Sequence, residues 1–303
     1  MRVLVTGGTG YLGSAICRAL TARGHEPTPF SRAEGGDVRD RATLMTAARG
    51  MNAIVHTAAL VTIWRRRARD FDDINVGGLE NILAVAAELG LPRIVYTSSF
   101  LALPPAGRET PVRGNDYQRT KALALDVARR AADKGAPITM IAPGVIYGPG
   151  LMSEGNLIGR MVADHLAGRL PGLIGPERIW SFSWVDDVAN AHVDALETGD
   201  PGAIVEAGGH NLEQRAPFEW LREHQGTPLP RTLPVWAGTL AGFLELSGAR
   251  LTGRDPLVTP ATVEIFKYDW PMRGRSSLTF DAAMAQIANG QWPMANGRSL
   301  NNQ

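Results

Sequence analysis

Cysteine is almost missing: Cys17 is the one thiol in 303 residues. No disulfide can form within the chain, and the residue reads as a small apolar side chain on a helix. Without a second cysteine, and with six histidines that show no metal-ligand spacing, no zinc or other metal site is expected. An excess of charge of one sign is missing too. Thirty-one basic residues against thirty acidic ones leave a net charge of +1, which supplies no field for nucleic acid or a membrane surface, and neither partner is expected. No apolar run reaches the roughly 18 residues that span a bilayer. The first residues enter a strand with no basic-then-apolar leader, so a cytoplasmic location is expected. Internal repeats and low-complexity tracts are absent as well.

What the chain has is glycine in a telling place. Val3-Leu4-Val5 is a short apolar run of the kind that makes a buried parallel strand, and Ile16, Ala19 and Leu20 fall at helical spacing between Ser14 and Arg23. Between them lies Thr6-Gly7-Gly8-Thr9-Gly10-Tyr11-Leu12-Gly13. In a strand–turn–helix unit Gly7 permits the tight turn, Gly10 lets the backbone approach a pyrophosphate, and Gly13 lets helix and strand pack closely. Further short strands at Pro27–Phe30, Ala53–His56, Arg93–Thr97 and Ile138–Ile141 alternate with helices that include Gly78–Leu89 and Tyr117–Lys134. Alternation of this kind predicts an α/β fold with a parallel sheet, ligands lying beyond the C-terminal ends of the strands.

A second pattern lies about a hundred residues on. In Tyr117-Gln118-Arg119-Thr120-Lys121 the Tyr and Lys share one helix face, where an ammonium can stabilise a phenolate and make the tyrosine an acid–base group. The glycine loop and this pair resemble the extended short-chain dehydrogenase/reductase family, the NAD-dependent epimerase/dehydratase superfamily, over the first two thirds of the chain. Smaller motifs follow in that family's order: Gly36-Asp37-Val38-Arg39-Asp40, His56-Thr57-Ala58-Ala59, Asn75-Val76-Gly77-Gly78, Tyr96-Thr97-Ser98-Ser99, Pro143-Gly144-Val145-Ile146-Tyr147-Gly148-Pro149 and Trp184-Val185-Asp186-Asp187-Val188-Ala189. Ile63-Trp64 through Asn81 and Gly168-Arg169-Leu170-Pro171 look most like the dihydroflavonol-4-reductase-like branch.

The resemblance implies a Rossmann doubly wound parallel sheet with a smaller C-terminal substrate-binding lobe. The lobe is expected to be discontinuous, with 1–146 plus 182–205 binding the cofactor and 147–181 plus 206–303 forming the lobe. It implies Ser99, rather than the adjacent Ser98, as donor to a substrate oxygen, Tyr117 and Lys121 as the acid–base pair, and Asn75 as support for the lysine through a water. Cofactor contacts are implied at Gly7, Thr9, Gly10, Tyr11, Leu12, Gly13, Asp37, Val38, Thr57, Ala58, Ala59, Tyr117, Lys121, Pro143, Gly144 and Val145, the last lining the nicotinamide. Relatives often dimerise through the helices that here are Gly78–Leu89 and Tyr117–Lys134, which makes a homodimer the implied assembly.

Cofactor choice is read at the end of the second strand, where an NAD-selective enzyme places an acid on the ribose 2′-hydroxyl. Here stand Ser31 and Arg32, no acid and one cation able to grip a 2′-phosphate, so NADP(H) is expected. The Asp-Glu pair that dehydratases carry after the catalytic hydroxyl is replaced by Phe100-Leu101. The expected activity is reduction of an aldehyde or ketone, or oxidation of the alcohol; a sugar epimerase is the alternative, and a non-catalytic NADP(H) sensor is disfavoured by the intact Ser99, Tyr117 and Lys121. Three further readings are structural. Arg65-Arg66-Arg67 with Arg69 is a solvated face, Asp186 and Asp187 form the N-cap and first turn of a helix over Val188–Leu196, and His56 is a strand-end residue rather than a base. Trp220, Trp236, Phe243, Phe266 and Trp270 are candidates for an apolar pocket lining or for core.

Overall fold

The computed structural model describes residues 1–253, 256 and 258–288. The chain begins with β1 (Arg2–Thr6), α1 (Tyr11–Ala22), β2 (Glu26–Phe30), α2 (Arg41–Ala48) and β3 (Ala53–His56). A helical stretch follows as α3 (Arg69–Phe71), a π-helical turn at Asp72–Val76 and α4 (Gly77–Leu89). Then come β4 (Ile94–Thr97), α5 (Asp116–Asp133) and β5 (Ile138–Pro143). Val3, Leu4, Val5, Ala53, Ile54 and Val55 are all fully buried, as expected of strands covered on both faces by helices.

Among the described residues six strands form one parallel sheet in the order β2-β1-β3-β4-β5-β8, the last being β8 (Ile204–Ala207). Strand order reverses between β1 and β3, which makes a crevice at their C-terminal ends. One face packs Leu4, Ile54 and Tyr96 against α2, α4 and α5; the other packs Val3, Val5 and Val55 against α1 and α7 (Val185–Thr198). At the edge, β2 carries Pro27 and Pro29. Glu26 N donates to Met1 O at 2.8 Å, so by strand alternation positions 27 and 29 turn their nitrogens away from β1, where a missing N–H costs no ladder bond.

The C-terminal lobe has its own small sheet, which sequence patterning did not indicate. There β6 (Val145–Tyr147) runs parallel to β7 (Ile179–Trp184), which pairs antiparallel with β9 (His210–Glu213). Around it lie α6 (Leu157–Leu166), α8 (Ala216–Gln225), α9 (Val235–Thr252), α10 (Pro260–Ile265) and α11 (Phe280–Ala288). Its core is aromatic: Tyr147, Trp180, Phe182, Trp184, Phe218 and Trp270 are buried together. Helix α7 begins at Val185 with Trp184 at its N-cap, three residues ahead of the expected start. Asp186 and Asp187 therefore sit inside the first turn, and Asp187 Oδ2 instead accepts Ser276 Oγ and Ser277 N at 2.9 Å. The arginine run behaves as read: Arg67 and Arg69 are exposed and pair with Asp70 and Asp73.

Candidate active site

The site starts at the glycine loop. Gly7 holds φ at +74°, and a Cβ there would lie 2.8 Å from Thr57 Oγ1 and 2.9 Å from Ala58 N. At Gly13 a Cβ would lie 2.0 Å from Gly7 O. The loop is thus pressed between its own helix and the end of β3, a fit that side chains would destroy. Gly10 caps α1 without a side-chain hydrogen bond, and the first turn has no acid. The N–H groups of Tyr11, Leu12 and Gly13 are left to receive an anion at the positive end of the helix.

The other expected cofactor contacts gather around this loop. Thr57 donates to Thr6 O through N at 3.0 Å and through Oγ1 at 2.9 Å, with Ala58 and Ala59 following, half-buried. Thr9 Oγ1 donates to Ser31 Oγ at 2.9 Å, tying the loop to the end of β2. Beside it Arg32 is exposed and opens a 3₁₀ turn at Arg32–Glu34. Asp37 is bonded by Arg39, which holds its carboxyl below the usual range. Val38 is buried, its carbonyl held by Asn81 Nδ2 at 2.9 Å. Pro143 ends β5, Val145 opens β6, and between them a Cβ on Gly144 would come 2.4 Å from Ser181 O, so strand and lobe meet backbone to backbone there.

Tyr117 lies in the first turn of α5, whose cap is Asn115 Oδ1 accepting Gln118 N at 2.8 Å. Burial pushes its phenol up to about 12, and a hydrogen bond from Ser99 pulls the other way. Ser99 Oγ also accepts Leu101 N at 3.2 Å as the cap of the 3₁₀ turn Phe100–Ala102, which leaves its proton for an oxygen partner. The Ser98 Oγ is buried with no protein partner. Of the two serines, Ser99 is the one whose hydroxyl acts on the tyrosine. One helical turn along, Lys121 is buried; Nζ donates to Thr97 O at 2.7 Å and lies 5.2 Å from the centre of the Tyr96 ring. Burial brings its pKa down to about 7.

Asn75 is buried and bonded to two distant segments. From the π-helical turn its Oδ1 accepts Leu60 N at 2.7 Å and its Nδ2 donates to Thr120 Oγ1 at 3.0 Å, so it clamps the residue before Lys121. Arg119 adds a bidentate bond to Asp72, 2.7 Å on each oxygen. Both ties run between residues 45 and 47 positions apart, and no local pattern announces them. His56 is fully buried, its Nδ1 with Thr6 Oγ1 at 2.7 Å, and burial lowers it to about 3, so it is neutral at working pH and no base. Its Nε2 and Ser98 Oγ are buried without protein partners. With the uncapped α1 terminus, the glycine cradle and the Lys121 ammonium, these donors and acceptors fit a nicotinamide dinucleotide laid across the switch point.

The model of the NAD dependent epimerase/dehydratase family matches residues 3–208. The chain belongs to that family. This family member is 31% identical over 254 residues to the sterol demethylase protein B of Methylococcus capsulatus, covering 76% of each chain. It is 30% identical over 241 residues to the 2-alkyl-3-oxoalkanoate reductase of Stenotrophomonas maltophilia, covering 72% of each. Among solved structures, gox2253 aligns at 27% identity with a TM-score of 0.72, over 97% of this chain and 94% of that one. The epimerase/dehydratase-family protein is thus an oxidoreductase of the extended short-chain class built for a nicotinamide cofactor, and among its described residues no helix is long and apolar enough to cross a membrane.

Proposed function

We propose that the protein reduces an aldehyde or ketone with NADPH, or oxidises the corresponding alcohol with NADP⁺. The observation that carries this reading is the Ser99 hydroxyl acting on the Tyr117 phenol, with buried Lys121 one turn away. A bound nicotinamide supplies or accepts the hydride. The chain's own residues manage the oxygen and its proton. Ser99 donates to the carbonyl oxygen, and Tyr117, which keeps its proton at neutral pH, passes it to the same atom. In the reverse direction Tyr117 takes the proton, and the Lys121 ammonium stabilises the phenolate. Thr97 O and the Tyr96 ring hold that ammonium in place.

NADP(H) is proposed over NAD(H) because Ser31 stands where an acid would exclude the 2′-phosphate and Arg32 beside it is exposed. Reductase naming of the Stenotrophomonas relative supports the direction of the chemistry. The family's epimerase members make sugar epimerisation the second reading; it would use the same pair without net consumption of cofactor. A cytoplasmic enzyme, homodimeric through α4 and α5, completes the proposal.

The test follows reduced-nicotinamide absorbance with NADPH or NADH and a panel of aromatic and aliphatic aldehydes, ketones and nucleotide-sugars. Carbonyl-dependent loss of NADPH is expected, falling by about 10²–10⁴ in Tyr117→Phe. Near-normal turnover in that variant sinks the catalytic assignment. Tight cofactor binding with an epimerised sugar and no consumption transfers the reading to the epimerase.

A further inference from the structure

Helix α9 is built inside out. Its body-facing positions are small: Gly238, Gly242 and Ala249 are buried. A Cβ on Gly238 would come 2.2 Å from Ile174 Cδ1, and one on Gly242 would come 2.7 Å from Pro260 N, so the helix backbone itself lies on the lobe. The large residues turn outward, with Trp236 70% exposed, Leu240 55%, Phe243 58%, Leu244 68% and Leu251 88%. At 3.6 residues per turn these five fall in one arc of about 100°. Ser247 is the polar position within the arc, and its hydroxyl donates back to Phe243 O at 2.8 Å. Thus the exposed face shows little for water to bond.

Charge frames this arc. Arg231, four residues before the helix, and Arg250, in its last turn, are exposed, and neither makes an ion pair among the described residues. Arg231 precedes the stripe along the chain, and Arg250 lies in the last turn beside Leu251. The helix's acid, Glu245, is half-buried and sits off the arc. We propose that α9 seats this protein on an anionic lipid surface, with Trp236, Phe243 and the leucines entering the headgroup boundary and Arg231 and Arg250 meeting anionic headgroups.

Near-zero net charge argued against a membrane partner, but binding of this kind depends on local arrangement. The stripe offers on the order of 600 Å², more than a monomer commonly leaves to water yet short of the ~800 Å² per partner of a stable protein interface. A lipid surface needs no matching partner area. Since α10 lies between α9 and Gly114, whose Cβ would be 3.4 Å from Ala261 O, the docked face is one helix away from the start of α5.

The experiment is flotation of the full chain with vesicles of phosphatidylcholine alone and of phosphatidylcholine with phosphatidylglycerol. Expected is at least tenfold more protein floating with the anionic vesicles. Trp236→Ser/Phe243→Ser should lose that binding at least tenfold, and Arg231→Gln/Arg250→Gln should lose the preference for phosphatidylglycerol, both variants melting within a few degrees of wild type. No flotation with either vesicle overturns the proposal, as does flotation that the Trp236/Phe243 variant leaves unchanged. A dimer in sedimentation equilibrium that the same variant dissociates, without vesicle binding, assigns the face to a second copy instead. Flotation reads binding alone, so its outcome is separate from whether the site reduces a carbonyl.

Discussion

The nucleotide-binding half and the C-terminal lobe both rely on glycine, yet a Cβ added at Gly13 meets the Gly7 carbonyl at 2.0 Å while one at Gly238 meets the tip of Ile174 at 2.2 Å. In the first case two backbone segments touch, and neither can move without moving a strand or a helix. In the second, the atom met is the far end of a side chain. The first contact is rigid and the second adjustable, and the two glycines should answer differently to a side chain.

Gly13→Val should break the first half outright: cofactor binding weakened more than a hundredfold in a fluorescence titration and a melting point lower by several degrees. Gly238→Ala should leave cofactor affinity within twofold and shift melting little, because helix propensity gained, about 1 kcal/mol, offsets the crowding. Normal binding in the first variant, or lost binding in the second, removes the contrast. Lys121→Met comes next. Turnover should fall at least a hundredfold. Stability should move oppositely, since the lysine's pKa drops from 10.5 to about 7 on folding. Between those values the unfolded chain holds a proton that the folded one has released, so wild-type stability rises with pH. The variant should be the more stable protein at pH 6, by about 2–3 kcal/mol in urea titrations, with the gap closing toward pH 10.

Arg32→Gln should weaken NADPH about tenfold, the value of one charge-assisted contact, and leave NADH within twofold; equal losses for both would return Arg32 to the solvent. A further effect concerns acid. Burial lowers His56 to about 3 and His192 to about 4, so below pH 6.5 the unfolded chain gains protons that the fold refuses, and stability falls as pH drops toward those values. At pH 5 the loss is up to about 2 kcal/mol per histidine, and His192→Gln should flatten it. An unaltered acid profile in that variant would detach this lability from the nucleotide half.

These contrasts explain what could be read in advance. Gly7, Gly10 and Gly13 answer to one another within seven residues, and Tyr117 and Lys121 within five on one helix, so the loop, that helix and most of the parallel strands were legible. The small sheet was not, because β6 and β9 have three and four residues and pair with β7 across long separations. The grip of Asn75 on Leu60 and Thr120 depends on where two distant segments meet. Trp236 and Phe243 were candidates for pocket or core; both face outward, because Gly238, Gly242 and Ala249 occupy the inner face of their helix. Trp220 and Trp270 are buried as core, the latter's Nε1 donating to Ile265 O at 3.1 Å.

Pro27 and Pro29 bear on the crowded life of the chain. An edge strand with its outward N–H groups deleted offers an incoming strand acceptors but no matching donors, so two copies cannot zip their sheets together along β2 during synthesis or at high concentration. Self-association on that flank is left to side chains, and amyloid-like stacking finds that edge already closed.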